Sequence, residues 1–575
     1  MFKANNQPGL FGFETELSKK QRDLLENSRE KWFYNLVLRN VDENKFKPLY
    51  SEKASRPNAP VNILVSALIY KELKGISYDE LMEGVMFDLR YKTAFGLAGI
   101  DEVPFSRATL FNFQNRLLEY EQQTGIILIE QFFDSLTARQ IKQLSLKADI
   151  QRTDSTLISS NIRKYTRIQV LAEVLIRLDR VLDETDRRQI GEQLREYVKT
   201  GSDKYVYGLK SSELPRELEK LGQVYYMVHC QISEKEKYQN KKEFINFSRV
   251  YKEHFVVVNR QASPRPAAEL HSGMMQSPDD PDATYRKKKE QHSKGYTITG
   301  SETANPDNPL QLVTDIAVMP NNIDDTEILH QRIDKIKEKT PELNEIHTDG
   351  GYGSEDNDKK LEELEITQVT TAVRGRESGI EKIIEQVSQT PDVYTVECPS
   401  QKAESVPTKQ RHKVRFETKV CLLCLLKERC QIFKNKGRYY FTHEDYLQNR
   451  RNRNIMNIPG ERRKIRPNVE ALMREFKARA PGGKTRVRGL FKTSLFAFNA
   501  GIAINFGRIF RYIIENDLIN GPFTSISFVF QKFLWNIRQL FSKTRVLASN
   551  FRNFQFYTKY FSNRPITRPL NFSSF

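Results

Sequence analysis

A chain of 575 residues is too long for one domain of ordinary size; length alone suggests about four. Its 91 lysines and arginines against 73 aspartates and glutamates leave a net charge of +18, which calls for a polyanionic partner, nucleic acid ahead of an anionic membrane surface, and names no reaction. Five cysteines exclude a disulfide scaffold, the first residues lack the cationic start and apolar core of an export signal, and the most apolar window, 495–506, is about half the length that crosses a bilayer and carries Asn499 and Asn505. The expectation is a cytoplasmic chain, nucleoid-associated when bound to DNA.

Residues 1–135 read as an all-α domain. A helix is expected around 18–38, and another between Pro60 and Gly75 with apolar residues at Ile63, Leu64, Ala67, Leu68 and Leu73. Ser77 and Glu80 have the spacing of a capping box ahead of Leu81 and Val85, and Ser106 opens a further helix carrying Leu110, Phe113 and Leu117. With Lys92, Arg107 and Arg116 among them, these helices fit either a module that binds DNA ends or a helical domain that only packs.

From Leu144 the period changes to two. Leu144, Leu146, Ala148 and Ile150 alternate with polar residues, which predicts a half-buried strand leading to Asp154. Asp154 falls in phase with the apolar face, where a carboxylate is costly unless a cation meets it; an ordinary loop aspartate is the other reading. A helical insertion is expected over 165–290, with Cys230 as a buried thiol, and its end, 262–294, is rich in proline, serine and charge and reads as a flexible surface crossing whose acids serve turns. Strands are predicted at 296–303 and 310–318, a helix capped by Asp324 and Asp325 to about 339, and a strand at 346–349 ending in the turn Asp349-Gly350-Gly351-Tyr352-Gly353. A helix at 355–364 and a strand at 366–373 complete the set. This is the element order of an RNase H-like fold, with Asp154 and Asp349 at its first and fourth strands.

An excursion over 374–462 holds Cys398, Cys421, Cys424 and Cys430. Cys421-x2-Cys424 is half of a structural zinc site that the other two would complete, and free thiols are the alternative. A helix from about 467 to 480, opened by Pro467 and closed by Pro481-Gly482-Gly483, places Glu470, Met473/Arg474 and Lys477 on one face, with Arg466 capping it. Lys484, Arg486, Arg488 and Lys492 follow as a cationic run. The tail, 511–575, is basic and aromatic and either stacks on DNA or packs on the core.

The pattern Arg466-x3-Glu470-x6-Lys477, followed by residues 483–492 and an apolar helix ending in Asn505, resembles the C-terminal signature of DDE transposases from bacterial insertion sequences. Residues 56–84 resemble the N-terminal helical domain of the same group. Arg463 departs from the pattern, standing where a tyrosine is usual. The resemblance covers about 60–510. Joined to the element order, it implies an α/β protein: an RNase H-like mixed-sheet core (140–373 and 463–510), the N-terminal helical domain, the helical insertion and the cysteine-containing insertion. It further implies an enzyme that binds insertion-sequence ends, cleaves a DNA strand and transfers the freed end to target DNA. Asp154, Asp349 and Glu470 would hold two Mg2+ or Mn2+ ions, while Arg466, Lys477, Lys484, Arg486, Arg488 and Lys492 would contact phosphates. Double-stranded DNA, both ends and target, is the implied partner, bound by a homodimer or larger assembly. A catalytically silent DNA-binding descendant and a metal-dependent nuclease that cuts without joining are the other classes the chain fits.

Overall fold

The computed structural model describes residues 1–516 except 6–11, 54–56, 289, 371–379, 381, 390–391, 457–458, 460–461, 463–464 and 466–468. Arg463, Arg466, Pro467 and the tail from 517 therefore lie outside the described residues.

The N-terminal helices are α1 (Lys19–Glu26), α2 (Arg29–Leu36), α3 (Val61–Lys74), α4 (Tyr78–Phe87), α5 (Leu89–Phe95), α6 (Arg107–Thr124) and α7 (Leu128–Gln143). The single helix predicted over 18–38 is two, because Ser28 turns its hydroxyl onto the N–H of Lys31 at 3.2 Å and starts α2 afresh. The capping box at the start of α4 forms as expected: Glu80 accepts from the N–H of Ser77 at 2.6 Å, and Ser77 Oγ accepts from the N–H of Glu80 at 3.2 Å.

Strand β1 (Ile150–Ser159) begins six residues later than the alternation suggests, and Asp154 lies within it rather than beyond it. Leu144 closes α7, and Ser145 takes a left-handed φ of 51°, which breaks the extended run before Ala148. The insertion follows as α8 (Arg167–Val181), α9 (Glu184–Thr200), α10 (Ser202–Tyr207), α11 (Leu214–Ile232), α12 (Glu236–Gln239) and α13 (Lys242–His254), then a hairpin of β2 (Phe255–Val258) and β3 (Gln261–Pro264). It has its own core around Leu171, Leu175, Leu194, Tyr225 and Phe247. Cys230 is exposed, not buried.

The stretch 262–294 is not a loose crossing. Met274, Met275, Ser277 and Asp280 are buried in it, and it ends in β4 (Thr284–Lys288), a strand of the main sheet. The rest of that sheet is β5 (Gln291–Thr303), β6 (Val313–Pro320), β7 (Glu345–Thr348) and β8 (Thr367–Thr370), with α14 (Asp325–Lys339) and α15 (Glu355–Glu363) as the connections between β6, β7 and β8. β5 pairs antiparallel with β1 on one side and with β4 and β6 on the other, while β7 and β8 continue from β1 in parallel. The architecture is thus mixed α/β on a mixed sheet, in the predicted order of elements.

The cysteine-containing excursion is a five-stranded antiparallel meander that periodicity did not reveal: β9 (Ile383–Gln389), β10 (Asp392–Cys398), β11 (Gln401–Pro407), β12 (His412–Arg415) and, after α16 (Thr418–Leu423) and α17 (Gln431–Lys434), β13 (Arg438–Phe441). Helix α18 (His443–Met456) returns from it to the main sheet. Arg451 pairs with Asp358 of α15 at 2.8 Å, and Asn454 donates to the carbonyl of Gln368 in β8 at 3.2 Å. Two helices finish the described chain, α19 (Val469–Ala478) and α20 (Leu490–Glu515). α20 packs on α3, α7 and β6, so the N-terminal helices, the sheet and both C-terminal helices share one apolar core.

Burial holds the carboxyl of Asp358 up at about 6 although Arg451 pulls it down. Between about pH 4 and 6 the folded chain then binds more protons than the unfolded one, so this group's contribution to stability falls as pH rises through that window. Asp358→Asn cannot titrate, so its stability relative to the parent is expected to be greater at pH 7 than at pH 4, whatever the cost of leaving Arg451 without a charged partner. Denaturant melts of both proteins at both pH values check this, and a stability difference that does not change with pH contradicts it.

Candidate catalytic site at the end of the parallel strand pair

The parallel ladder between β1 and β7 runs Ile150 to Glu345, Gln151 to Ile346 and Arg152 to His347. Asp154 lies two residues beyond Arg152 and Asp349 two beyond His347, so the register puts the two acids at matching positions just past the end of the ladder. Asp349 closes β7, and its carboxylate accepts from the N–H of Gly351 at 3.2 Å in the turn Gly350–Tyr352. Asp154 accepts from the N–H of Ser155 at 2.8 Å. Both acids are half-buried.

On its other edge Asp154 stands directly opposite Gly300 of β5, and directly opposed residues of an antiparallel pair project to the same face. That face is the one α19 covers. A Cβ placed on Gly300 would meet Leu472 at 3.1 Å, Met473 at 3.4 Å and Phe476 at 3.4 Å. Absence of a side chain at 300 is therefore what lets the helix lie close to the strand of Asp154. Leu472, Met473 and Phe476 are buried, and Glu470, Arg474 and Lys477 are exposed. Met473 thus belongs to the apolar face, a correction to the predicted grouping with Glu470.

Glu470 occupies the first turn of α19, exposed. Among the described residues no three His, Cys, Asp or Glu side chains stand together as an ion-binding group: the register aligns two of the three acids, and Glu470 is carried by α19, the helix that packs on β1. Asp325, read from sequence only as a cap of its helix, is the residue that reading missed. Its carboxylate accepts from Ser155 Oγ at 2.7 Å, and the buried hydroxyl of Tyr352 is pushed far up by burial first and by the charges of Asp325, Asp154 and Asp349 after it. Three carboxylates are thus within electrostatic reach of one buried phenol.

The cationic run is anchored to the end of β1. Lys484 bridges Ser159, Thr485 donates its N–H to the Ser159 carbonyl at 2.9 Å, and Lys484 Nζ reaches the carbonyl of Ile162 at 3.3 Å. Arg488 donates to the carbonyl of Asn161 at 2.6 Å and pairs with Asp279 at 3.4 Å. Beside it, buried Asp280 accepts from Tyr296 at 2.7 Å, from the N–H of Gly489 at 2.9 Å and from Ser160. These acids, expected to serve turns, instead tie the insertion to the start of α20. Arg486 is exposed near Glu72 and Glu80, while Lys492 is half-buried in the first turn of α20.

Cys398 ends β10, Cys421 lies in α16, Cys424 closes it and Cys430 precedes α17, and these four do not stand together as an ion-binding group either. Burial raises the thiol of Cys421, and the charges of Cys430, Cys398 and Cys424 push the same way. Cys424 goes down, chiefly because Ser400 donates to its sulfur at 3.1 Å.

A family model described as a transposase domain matches residues 21–116, and one described as a transposase DDE domain matches residues 391–510. These two segments of the chain are thus similar to DDE transposases. No curated protein and no solved structure matches it. The DDE match takes in Glu470, Lys477, the cationic run and all four of these cysteines, whereas Asp154 and Asp349 fall between the two matched segments and their pairing rests on strand register. Among the described residues no helix is long and apolar enough to cross a membrane.

The close approach at Gly300 is open to test. Gly300→Val drives two methyl groups against Leu472 and Phe476 and is expected to cost about 1–3 kcal/mol, read as a lower denaturant midpoint with an unchanged slope. Parent-like stability would mean that α19 does not lie on this strand.

Proposed function

We propose that the chain is an active transposase whose sheet is an RNase H-like core, and that it binds its insertion-sequence ends, cleaves a strand there and transfers the freed 3′ end to target DNA. The observation that carries this is the register that aligns Asp154 with Asp349 on the face covered by the helix of Glu470. Their hard carboxylate oxygens suit magnesium or manganese rather than zinc. A pair of such ions, when bound, supplies activation of the attacking oxygen and stabilises the leaving one. The residues themselves orient and exclude. Asp154 and Asp349 are carried by the adjacent strands β1 and β7, Glu470 would complete the set from α19, and Lys477 with Lys484, Arg486, Arg488 and Lys492 presents the cations that seat phosphates; Arg466 joins them in this reading. The assembly on paired ends is a homodimer or larger.

Labelled DNA carrying the inverted repeats that flank the gene tests the reading. With magnesium, Asp349→Asn and Glu470→Gln are expected to lose cleavage while still binding the ends, and binding should weaken steeply with salt. Lys477→Ala should lower the slope of log affinity against log salt by about 1. Parent-like cleavage by Glu470→Gln overturns the triad. A parent chain that binds the ends and never cuts them marks a silent descendant, and one that cuts without joining marks a nuclease.

The same proposal assigns the four thiols a structural zinc, supported by the placing of Cys421 and Cys430 in the core of the meander and by the charge effects of the other three on Cys421. Metal analysis of protein purified without added zinc should find about one ion per chain, lost in Cys421→Ser. A ratio near zero leaves them ordinary thiols.

A further inference from the structure

A chain of four charged side chains joins the strand of Asp154 to the helix of Glu470. Arg152, two residues before Asp154 and on the same face, donates from Nε to Glu302 at 2.6 Å and from Nη1 to the carbonyl of Ile465 at 2.9 Å, five residues ahead of Glu470. Glu302 is fully buried where the β5–β6 register shifts, and its other oxygen accepts from Arg508 of α20. Arg508 in turn donates to the carbonyl of Gln311 at 3.0 Å and to Glu475 of α19 at 2.6 Å. Burial opposes the charge on Arg508, and Glu302 and Glu475 more than offset it.

The apolar contacts of Leu472, Met473 and Phe476 over Gly300 set the height of α19 above the sheet, but such contacts are non-directional and tolerate sliding and rotation. A slip of one residue would turn Glu470 through about 100° and move it about 1.5 Å, enough to take it off a shared ion. Guanidinium forks are directional, and each buried charge here would be costly if its partner moved away. We propose that Arg152, Glu302, Arg508 and Glu475 form the positioning device that fixes the register of α19 and so sets where Glu470 stands relative to Asp154 and Asp349. This rests on the triad reading above.

The test uses the full chain carrying Glu302→Gln, Arg508→Lys or Glu475→Gln, with binding of Mn2+ to the DNA-free protein followed by electron paramagnetic resonance. Thermal melts and the magnesium concentration for half-maximal cleavage are measured beside it. Mn2+ binding is expected to weaken about tenfold or more, and the magnesium midpoint to rise in step, while cleavage at saturating magnesium largely recovers and binding to the ends is unchanged. A purely structural role would lower the melting temperature and leave the metal midpoint where it was. Folded variants with parent-like Mn2+ affinity overturn the proposal. If Glu302→Gln fails to fold, Glu475→Gln, at the partly exposed end of the chain, must still shift the midpoint, and an unshifted midpoint there is equally fatal. If Glu470→Gln itself leaves Mn2+ binding and cleavage intact, the triad fails; if it abolishes both while the positioning variants match the parent, this inference alone fails.

Discussion

Strand β1 is held by two ladders of opposite sense, and the site exists because of that. Its antiparallel pairing with β5 runs from Gln151 to Ser159, far longer than its parallel pairing with β7, which ends at Arg152. The long ladder fixes the position of β1 in the sheet; the short one needs only to bring β7 alongside before the chain turns away at Gly350. Parallel pairing demands a crossover, and α14 supplies it, so Asp349 arrives from a remote part of the chain already aligned. A slip of one residue between β1 and β7 would send one of the two acids to the opposite face.

Burying charge beside such a site is expensive unless every charge is met. Asp315 of β6 is buried between Arg332 at 2.5 Å and Lys339 at 2.8 Å, whose charges pull its carboxyl down although burial pushes it up. Glu302 is met by Arg152 and Arg508 in the same way. Removing one member of such a set commonly costs about 3–5 kcal/mol, because the others remain buried without a partner, whereas an apolar replacement of the whole set is often neutral. The two networks therefore say less about stability than about direction: one ties β6 to α14 and α7, the other ties β1 and β5 to α19 and α20.

What could be read from the chain beforehand were features set by local chemistry. Capping by Ser77 and Ser106, the helix between Pro60 and Gly75, and the turn after Asp349 each depend on a few adjacent residues, and all form where expected. Features set by distant partners were hidden. Nothing near Asp280 in sequence shows that Tyr296 and Gly489 will donate to it, so a stretch rich in proline and aspartate looked loose and is in fact buried. The meander of the excursion was missed because strands such as β12 and β13 are four residues long, and their pairing with each other gives too little alternation to detect. Met473 was grouped with Glu470 on helical spacing alone; only the bare surface at Gly300 reveals where the boundary of the buried face falls.

Helix α20 shows how the most apolar stretch of the chain, too short to cross a membrane, becomes the spine of a globular core. Gly501 lets it press on β6 so closely that a Cβ there would fall 2.2 Å from Ile316 Cδ1, an overlap that only movement of the isoleucine could relieve. One turn on, Asn505 does what no apolar residue can. Its side-chain oxygen accepts from the N–H of Val313 at 2.7 Å and its amide donates to the carbonyl of Val313 at 3.0 Å, so it pairs with the first residue of β6 as a neighbouring strand would. An unpaired backbone group at that depth would cost about 1–3 kcal/mol, and a strand there would have no room beside the helix. A single buried amide thus fixes the rotation of α20 against the sheet, and through Arg508, one further turn along, the same rotation reaches Glu302 and α19. The apolar residues of this helix supply its affinity for the core, and two of its polar ones, Asn505 and Arg508, decide how it sits there.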